Sequence, residues 1–324
     1  MKSGFLTSIW SGEAPRKEGE GLFALDFRAL AALRIGLGLL VIFDLIWRAG
    51  DYAVHYADDG VFPVAALAEE YLRPGRFCLH AFLDGWPELI LWLIQGVAAF
   101  CMVIGYRTRT AMVITLLLLL SLHARNFMVL QSGDVALRVF MFWGIFAPLG
   151  ARWSVDSALR GSVPETKRVR SVATMAIILQ LVMIYAFAII CKLGQPIWWE
   201  ERAAVYYALS VREFTTGLGY WMRDWPPLML EMATYATLIV QATAVIALLT
   251  PRGNEKLRSQ LAAVMIPMHV VYMLTLSIGL FSYIMCTIWL AEGVTVAIRR
   301  SRVGQNNGSE TPNHFVRCEL RRAQ

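Results

Sequence analysis

The chain has 324 residues, of which 57% are hydrophobic and 17% are charged, and its mean hydropathy is +0.52. This composition is typical of a polytopic membrane protein and excludes an ordinary soluble enzyme. The net charge of +6 does not indicate nucleic-acid binding, because the basic residues are spread among loops and are not gathered on one folded region. The five cysteines form no CxxC pair, which argues against a disulfide framework or a zinc site.

An apolar central region is flanked by two polar segments. Residues 1–28 carry several charged side chains before any long apolar run, which argues against a cleavable signal peptide and predicts a cytoplasmic N-terminal segment. Residues 299–324 are basic and lack helical periodicity, so we predict a disordered cytoplasmic tail that contacts anionic lipid. Between them, residues 29–298 predict one all-α domain, a polytopic integral membrane helical bundle.

The central region contains eight apolar segments, which predict about eight transmembrane helices. The segments are 29–47, 87–106, 109–124, 134–150, 171–191, 229–249, 259–279 and 281–298. Arg107-Thr108-Arg109 alone separates the second segment from the third, which predicts a tight helical hairpin. Gly279 and Ser282 are the only interruption between the last two segments, and a re-entrant segment is the alternative to a full span at 281–298.

The distribution of basic residues predicts the orientation. If the N terminus is cytoplasmic, twenty of the thirty lysines and arginines lie in cytoplasmic segments and eight lie outside. Because lysine and arginine are enriched on the cytoplasmic side of membrane proteins, we expect both termini in the cytoplasm and Lys192 on the outer side. Two large outer loops carry aromatic residues interleaved with charges, which predicts interfacial helices lying on the membrane.

Charged residues inside apolar segments need partners, and two pairs have helical spacing. Asp44 and Arg48 are four residues apart at the outer end of the first segment, and Asp134 and Arg138 repeat this spacing at the start of the fourth. Side chains four residues apart on a helix are neighbours, which predicts charge neutralisation within each helix. Arg34 lies about one turn from the cytoplasmic surface, where it either snorkels to water or turns inward.

Two further polar residues are candidates for chemistry. Lys192 follows the uncharged run 172–190 and precedes Trp198 and Trp199 at a lipid-to-water boundary. Such a lysine is either an interfacial anchor or a base held in a poorly hydrated pocket, where its charged form is disfavoured. His269 lies near the middle of the seventh segment, where an imidazole either bonds to a neighbouring helix or belongs to a functional site.

Motifs of soluble enzymes and metal sites give no strong signal. The sequence contains no Walker sequence, no GxGxxG motif opening a helix, no HExxH and no GxSxG. His55, Asp58 and Asp59 lie close together in the first outer loop, but such a group is typical of a solvated turn. We therefore predict no metal site.

A series of short motifs along the hydrophobic chain carries a family resemblance. The motifs are Arg34-Ile35-Gly36-Leu37 with Asp44, Tyr56-Ala57-Asp58-Asp59-Gly60-Val61-Phe62-Pro63, Ile104-Gly105-Tyr106-Arg107-Thr108, Gly133-Asp134, Phe146-Ala147-Pro148-Leu149-Gly150, Trp153-Ser154-Val155-Asp156, Lys192-Leu193-Gly194 with Trp198-Trp199, and His269 with Ile278-Gly279-Leu280-Phe281-Ser282-Tyr283. In their order and separations they resemble the membrane domain shared with vitamin K-dependent γ-glutamyl carboxylase, called HTTM in its bacterial members. The resemblance extends from about Arg28 to Leu290.

The resemblance implies a location, a reaction and roles for individual residues. It implies a bacterial inner membrane protein in which Lys192 is the catalytic base. In the carboxylase this lysine reacts with a reduced quinone and oxygen, and the strong base so formed removes a γ-proton from glutamate. His269 would line the quinone-side cavity, with Phe281 and Tyr283 as cofactor-binding residues. The expected partners are membrane lipids and a secreted peptide substrate.

The sequence also departs from the carboxylase. Ser132-Gly133-Asp134 stands where the carboxylase has a segment containing asparagine and histidine, and the spacing from Lys192 to the tryptophans is about one residue longer. Other bacterial members resemble the sporulation-delaying protein B, which takes part in maturing a secreted peptide toxin. The expected function is therefore a carboxylase-like enzyme or a peptide-maturation factor. The alternative is a non-catalytic scaffold or small-molecule carrier in which Lys192 is an anchor.

Overall fold

The structure of the chain is a computed structural model, and it describes residues 22–70, 77–83, 85–161, 164, 168–250 and 255–293. The predicted basic tail and most of the N-terminal segment lie outside these residues. The described chain is mostly helical, which confirms the all-α class, and it includes one short antiparallel pair of strands, β1 (Ala24–Asp26) and β2 (Arg168–Arg170).

Five of the described helices are long and apolar enough to cross a membrane. They are α1 (Phe27–Gly50), α4 (Trp86–Ile104), α5 (Thr108–Arg125), α8 (Val172–Leu193) and α12 (Pro227–Leu249). They fall on the first, second, third, fifth and sixth predicted segments. Five such helices indicate a multi-pass membrane protein.

The other three predicted segments fall on helices whose described apolar part is shorter. These are α6 (Ser132–Phe146), α13 (Glu255–Thr275) with its apolar part at Gln260–Thr275, and α14 at residues 281–293. Short helices also occupy the connections: α2 (Tyr52–His55), α3 (Val64–Glu70), α7 (Val155–Arg160), α9 (Pro196–Trp199), α10 (Ala204–Ala208) and α11 (Gly217–Arg223), together with 3-10 turns at Leu79–Phe82 and Phe127–Val129.

The two strands mark one end of the bundle, which we call the sheet end. β1 leads directly into α1 and β2 into α8, so both helices begin here and run toward the opposite end. Arg258 near the start of α13 donates to the carbonyl of Leu22 and forms a 2.9 Å ion pair with Glu292 of α14. Residues 22 and 292, near the two limits of the described chain, therefore lie together at the sheet end.

Arg34 holds the predicted α4–α5 hairpin at the sheet end. Its guanidinium is fully buried and donates to the carbonyls of Met102 and Val103, at 3.0 Å each, and to that of Trp153. Arg34 therefore turns inward and does not snorkel. The carbonyls of Met102 and Val103 belong to the last turn of α4, where main-chain carbonyls have no hydrogen-bond donor within the helix. Gly105 ends α4 in the left-handed conformation, with φ of 73°.

Asp156 stabilises the other half of the hairpin. Its carboxylate accepts hydrogen bonds from the main-chain N–H groups of Arg107 and Thr108, both at 2.8 Å, and from the Thr108 hydroxyl. Burial alone would raise the pKa of Asp156, but these hydrogen bonds outweigh it, so its pKa lies below the usual value. Three of the motifs that carry the family resemblance therefore contact one another around the Arg34 side chain.

The opposite end of the bundle carries the large connections, and we call it the cavity end. Arg48 in the last turn of α1 contacts Asp134 in the first turn of α6, and Tyr52 donates to Glu88 in the first turn of α4. Lys192 lies in the last turn of α8, which also runs toward this end. The structure therefore places Lys192 and the Asp44–Arg48 pair toward the same end.

Candidate functional site

Lys192 is half-buried between α8 and α12. Its Nζ donates to Oε1 of Gln241 at 2.5 Å and lies 5.1 Å from the ring centroid of Trp198, a cation–π distance. Gln241 is 5% exposed and lies in the interior of α12, far from either end of that helix. The ammonium therefore points into the bundle, whereas a snorkelling anchor would extend toward water.

The charge of Lys192 has no acidic partner among the residues that the structure describes. Its hydrogen-bond acceptor is a neutral amide, and the described ion pairs do not include it. A partly desolvated ammonium without a carboxylate is less stable relative to its neutral amine than one in water. The geometry fits a base better than a surface anchor.

His269 is buried in α13 and bonds to a neighbouring helix, one of the two predicted alternatives. Its Nε2 lies 2.9 Å from the hydroxyl of Tyr185 on α8, and Trp289 of α14 donates its Nε1–H to the same hydroxyl at 2.8 Å. The indole can only donate, so the Tyr185 proton is free to reach Nε2 of His269. When Tyr185 donates to Nε2, the ring proton of His269 is on Nδ1, which has no hydrogen-bond partner among the described residues.

Tyr185, the partner of His269, lies on the same helix as Lys192. They are seven residues apart, which is two turns, so they lie on the same face of α8. His269 contacts the Tyr185 hydroxyl on this face of α8, and no described hydrogen bond joins it to Lys192. The two predicted catalytic residues therefore face one region between α8, α12 and α13.

The two predicted cofactor-binding residues lie in different regions. Phe281 packs against His269 with ring centroids 6.0 Å apart. Tyr283 instead lies 5.6 Å from the ring of Phe43 on α1 and lines a separate cavity. Residues two apart on a helix point to different sides, which explains the separation.

The Asp44–Arg48 pair is confirmed, and it belongs to a larger group of buried polar side chains. Nε of Arg48 lies 2.9 Å from both carboxylate oxygens of Asp44, its Nη1 donates to the Tyr56 hydroxyl at 2.7 Å, and its Nη2 donates to Asp134 at 2.6 Å. His123 of α5 lies beside both carboxylates. We call these five residues the charge cluster.

The predicted Asp134–Arg138 pairing is wrong. Arg138 Nε donates to the main-chain carbonyl of Asp134 at 3.3 Å, whereas the carboxylate binds Arg48 of α1. The reason lies at the start of α6, where Oδ2 of Asp134 accepts the main-chain N–H of Gln131 at 2.7 Å in a capping box. This cap turns the carboxylate toward the helix start and away from the next turn.

A cavity of about 450 Å³ lies next to the charge cluster at the cavity end. Its wall combines cluster residues, aromatic side chains and the connection before α14. Among the lining residues are Phe43, Asp44, Trp47, Arg48, Asp51, Tyr56, Gln131, Asp134, Ser277 and Tyr283. The cavity can therefore hold a small molecule against both charged and aromatic groups.

Among His55, Asp58 and Asp59, the Asp58 side chain makes a hydrogen bond that is typical of a turn. Asp58 accepts the main-chain N–H of Val64 at 2.7 Å, and Asn126 donates to the carbonyl of His55. The buried Arg125 holds the same loop by donating to the carbonyls of Phe62 and Ala57. In this loop the predicted turn is the better description.

Sequence reasoning missed His123, Tyr185 and Gln241. Each is a polar residue inside an apolar helix, and that signal is present in the sequence. Tyr185 could also have been found from its two-turn spacing to Lys192. The partners of His123 and Gln241 could not have been found from spacing, because they lie on other helices.

No protein-family model, curated protein or solved structure matches this chain. The functional assignment therefore depends on the site geometry and on the motif resemblance.

Proposed function

We propose that this protein is a multi-pass membrane enzyme of the HTTM, carboxylase-like type, or a peptide-maturation factor of that type, in which Lys192 acts as a base. The observation that carries this is the environment of Nζ. It is directed into the bundle, it bonds to the neutral amide of Gln241, and no carboxylate in the described part of the chain is within ion-pair distance.

Lys192 would take a proton from the reduced quinone through its neutral amine, and the stronger base formed with oxygen would then act on the peptide. Nζ accepts the proton and becomes an ammonium. Gln241 Oε1 and the ring of Trp198 are placed to stabilise that ammonium, the first as a hydrogen-bond acceptor and the second through its π face. The expected substrate is a secreted peptide that reaches this region from the cavity end.

The residues near His269 fit a reduced quinone in two respects. Nδ1 of His269 is buried without a described partner and can donate to a quinone oxygen, and the Phe281 ring next to it offers an apolar wall. Tyr283 is not part of this region. When bound, a reduced quinone would supply the electrons that generate a stronger base with oxygen. His269 and Phe281 would orient the ring of a quinone delivered through the bilayer.

We infer about eight spans, with both termini in the cytoplasm of a bacterial inner membrane. Residues 22 and 292 share the sheet end, as an even number of crossings requires, and the excess of basic residues would place that end inside. Cysteines introduced at Val61 and Leu159, which are 69% and 74% exposed, test this orientation. An impermeant thiol reagent should label Val61→Cys in intact cells and Leu159→Cys only after permeabilisation. The reverse pattern would contradict it.

A membrane scaffold or small-molecule carrier is the second candidate. The cavity of about 450 Å³ favours it, because this space is lined by charged and aromatic groups and does not include Lys192. In that case Lys192 would be an anchor, and both Lys192→Arg and Lys192→Gln would keep function. A base tolerates neither change.

The base hypothesis is tested by the pH dependence of Lys192 acylation. The full chain in nanodiscs is treated with a small amine-reactive reagent between pH 6 and 10, and labelling is read by mass spectrometry with Lys256 as internal reference. We expect half-maximal labelling of Lys192 nearer pH 7 to 8 than to the usual lysine value of about 10.4.

Gln241 provides the matched variants. Gln241→Glu places a carboxylate against Nζ and should move half-maximal labelling to higher pH, because the negative charge stabilises the ammonium. Gln241→Leu removes the hydrogen-bond acceptor without adding charge, so it should not move half-maximal labelling to higher pH. Equal labelling of Lys192 and Lys256 at every pH, unchanged by Gln241→Glu, would overturn the assignment of Lys192 as a base.

A further inference from the structure

The charge cluster carries an excess negative charge inside the protein. Asp44 and Asp134 contribute two negative charges and Arg48 one positive charge, and all three residues are buried. Burial raises the pKa of Tyr56 despite the nearby Arg48, so its hydroxyl stays neutral. The charges of Asp44, Asp134 and Arg48 sum to −1 before His123 is counted. An uncompensated buried charge is costly, which makes a cation at this place favourable.

His123 is the second observation that points to a ligand. It is 1% exposed, and neither ring nitrogen has a hydrogen-bond partner among the described residues. Its Nε2 faces the two carboxylates, 3.6 Å from Oδ1 of Asp134 and 3.9 Å from Oδ2 of Asp44. A buried imidazole that faces two carboxylates without a hydrogen bond to either needs an explanation, and a metal ion between the three groups supplies one.

We propose that Asp44, His123 and Asp134 bind a divalent metal ion. One ligand atom from each residue lies within 4.8 Å of the others. In an octahedral site with bonds of about 2.1 Å, ligand atoms are about 3 Å apart in cis and about 4.2 Å apart in trans. Small side-chain rotations therefore bring the three groups to binding distance. One imidazole and two carboxylates suit Mn²⁺, Fe²⁺ or Zn²⁺.

Arg48 is compatible with this ion. Each carboxylate oxygen has two lone pairs, and Arg48 occupies one on each oxygen that it contacts. Hydrogen bonds to ligating carboxylates are the usual outer support of a metal site. With the ion bound the cluster becomes positive by one charge, so it would attract an anionic group or hydroxide.

The adjacent cavity has room for an anionic group or hydroxide as a further ligand of the ion. Asp44 and Asp134 line both the cluster and the cavity, whereas His123 closes the cluster from the side of α5. An ion held by the three side chains would therefore keep an open coordination position toward the cavity. This site is separate from Lys192, which does not line the cavity, and it does not depend on the base hypothesis.

Mn²⁺ binding to the full-length protein in detergent tests the site. Chelator-treated protein is titrated with Mn²⁺, and the loss of the free-ion EPR signal gives stoichiometry and affinity. We expect about one ion per chain. His123→Gln and Asp134→Asn should each weaken binding more than about ten-fold, because even outer-support mutations cost 10- to 100-fold.

Two variants serve as controls. Asp51→Asn removes an exposed acid from the same cavity and should leave Mn²⁺ affinity unchanged. Lys192→Gln should also leave it unchanged, which separates this site from the Lys192 assignment. His123 makes no described hydrogen bond, so His123→Gln should fold, and gel filtration checks it. No ion on the wild-type chain, or equal affinity in His123→Gln and Asp51→Asn, would overturn the metal site.

Discussion

Asp134 should couple energetically to Arg48 of α1 and not to Arg138 of its own helix. The Arg48–Asp134 contact is 2.6 Å long, and the two side chains are only 10% and 5% exposed. Removing one partner of a buried ion pair typically costs about 3 to 5 kcal/mol. Arg48 keeps Asp44 when Asp134 is lost, so we expect a smaller coupling energy of about 2 kcal/mol.

Arg138 should show little coupling for a geometric reason. It donates to the main-chain carbonyl of Asp134, and that bond survives when the side chain is truncated. We therefore expect a coupling energy below about 0.5 kcal/mol for this second pair. The capping bond to Gln131 is lost in every variant that lacks the Asp134 carboxylate, so it cancels from both couplings.

The assay is a pair of double-mutant cycles read by thermal unfolding in detergent. Asp134→Ala is combined with Arg48→Met in one cycle and with Arg138→Met in the other. A chelator is present throughout, so that a bound cation does not contribute to stability. The reasoning fails if both couplings are equal, or if Asp134→Ala is rescued by Arg138→Met and not by Arg48→Met.

Two further predictions concern the sheet end. Gly105→Ala should lower the unfolding temperature, because a Cβ there would lie 2.0 Å from the Arg34 guanidinium and φ is positive. Gly96→Ala, in open space on the same helix, should be neutral or stabilising, and equal effects of the two changes in thermal unfolding would contradict this. Asp156 has a lowered pKa, so its contribution to stability is present above the unfolded value of about 3.9 and is lost as the pH falls through the folded value. Asp156→Asn should therefore reduce stability at pH 7 and flatten the acid limb of a pH titration of unfolding, and an unchanged acid limb would be evidence against the Asp156 cap.

The sequence by itself determined the helical class and the position of most long helices. Long uncharged runs form helices in a bilayer because every main-chain polar group must be satisfied within its own segment. The short break at Arg107-Thr108-Arg109 predicted the α4–α5 hairpin, and the four-residue spacing of Asp44 and Arg48 predicted their ion pair. The same spacing failed for Asp134 and Arg138, because a neighbouring helix supplies the partner of Asp134.

Only the tertiary structure decided which helices share their polar residues. Asp134 binds Arg48, which is 86 residues away, Lys192 binds Gln241, and His269 meets Tyr185. These partners depend on the rotation and offset of each helix relative to its neighbours. In a nearly all-apolar helix the hydrophobic pattern does not determine that rotation, because lipid and protein interior are equally apolar environments. Packing against neighbouring helices determines it, and so it assembles both the Lys192 region and the charge cluster.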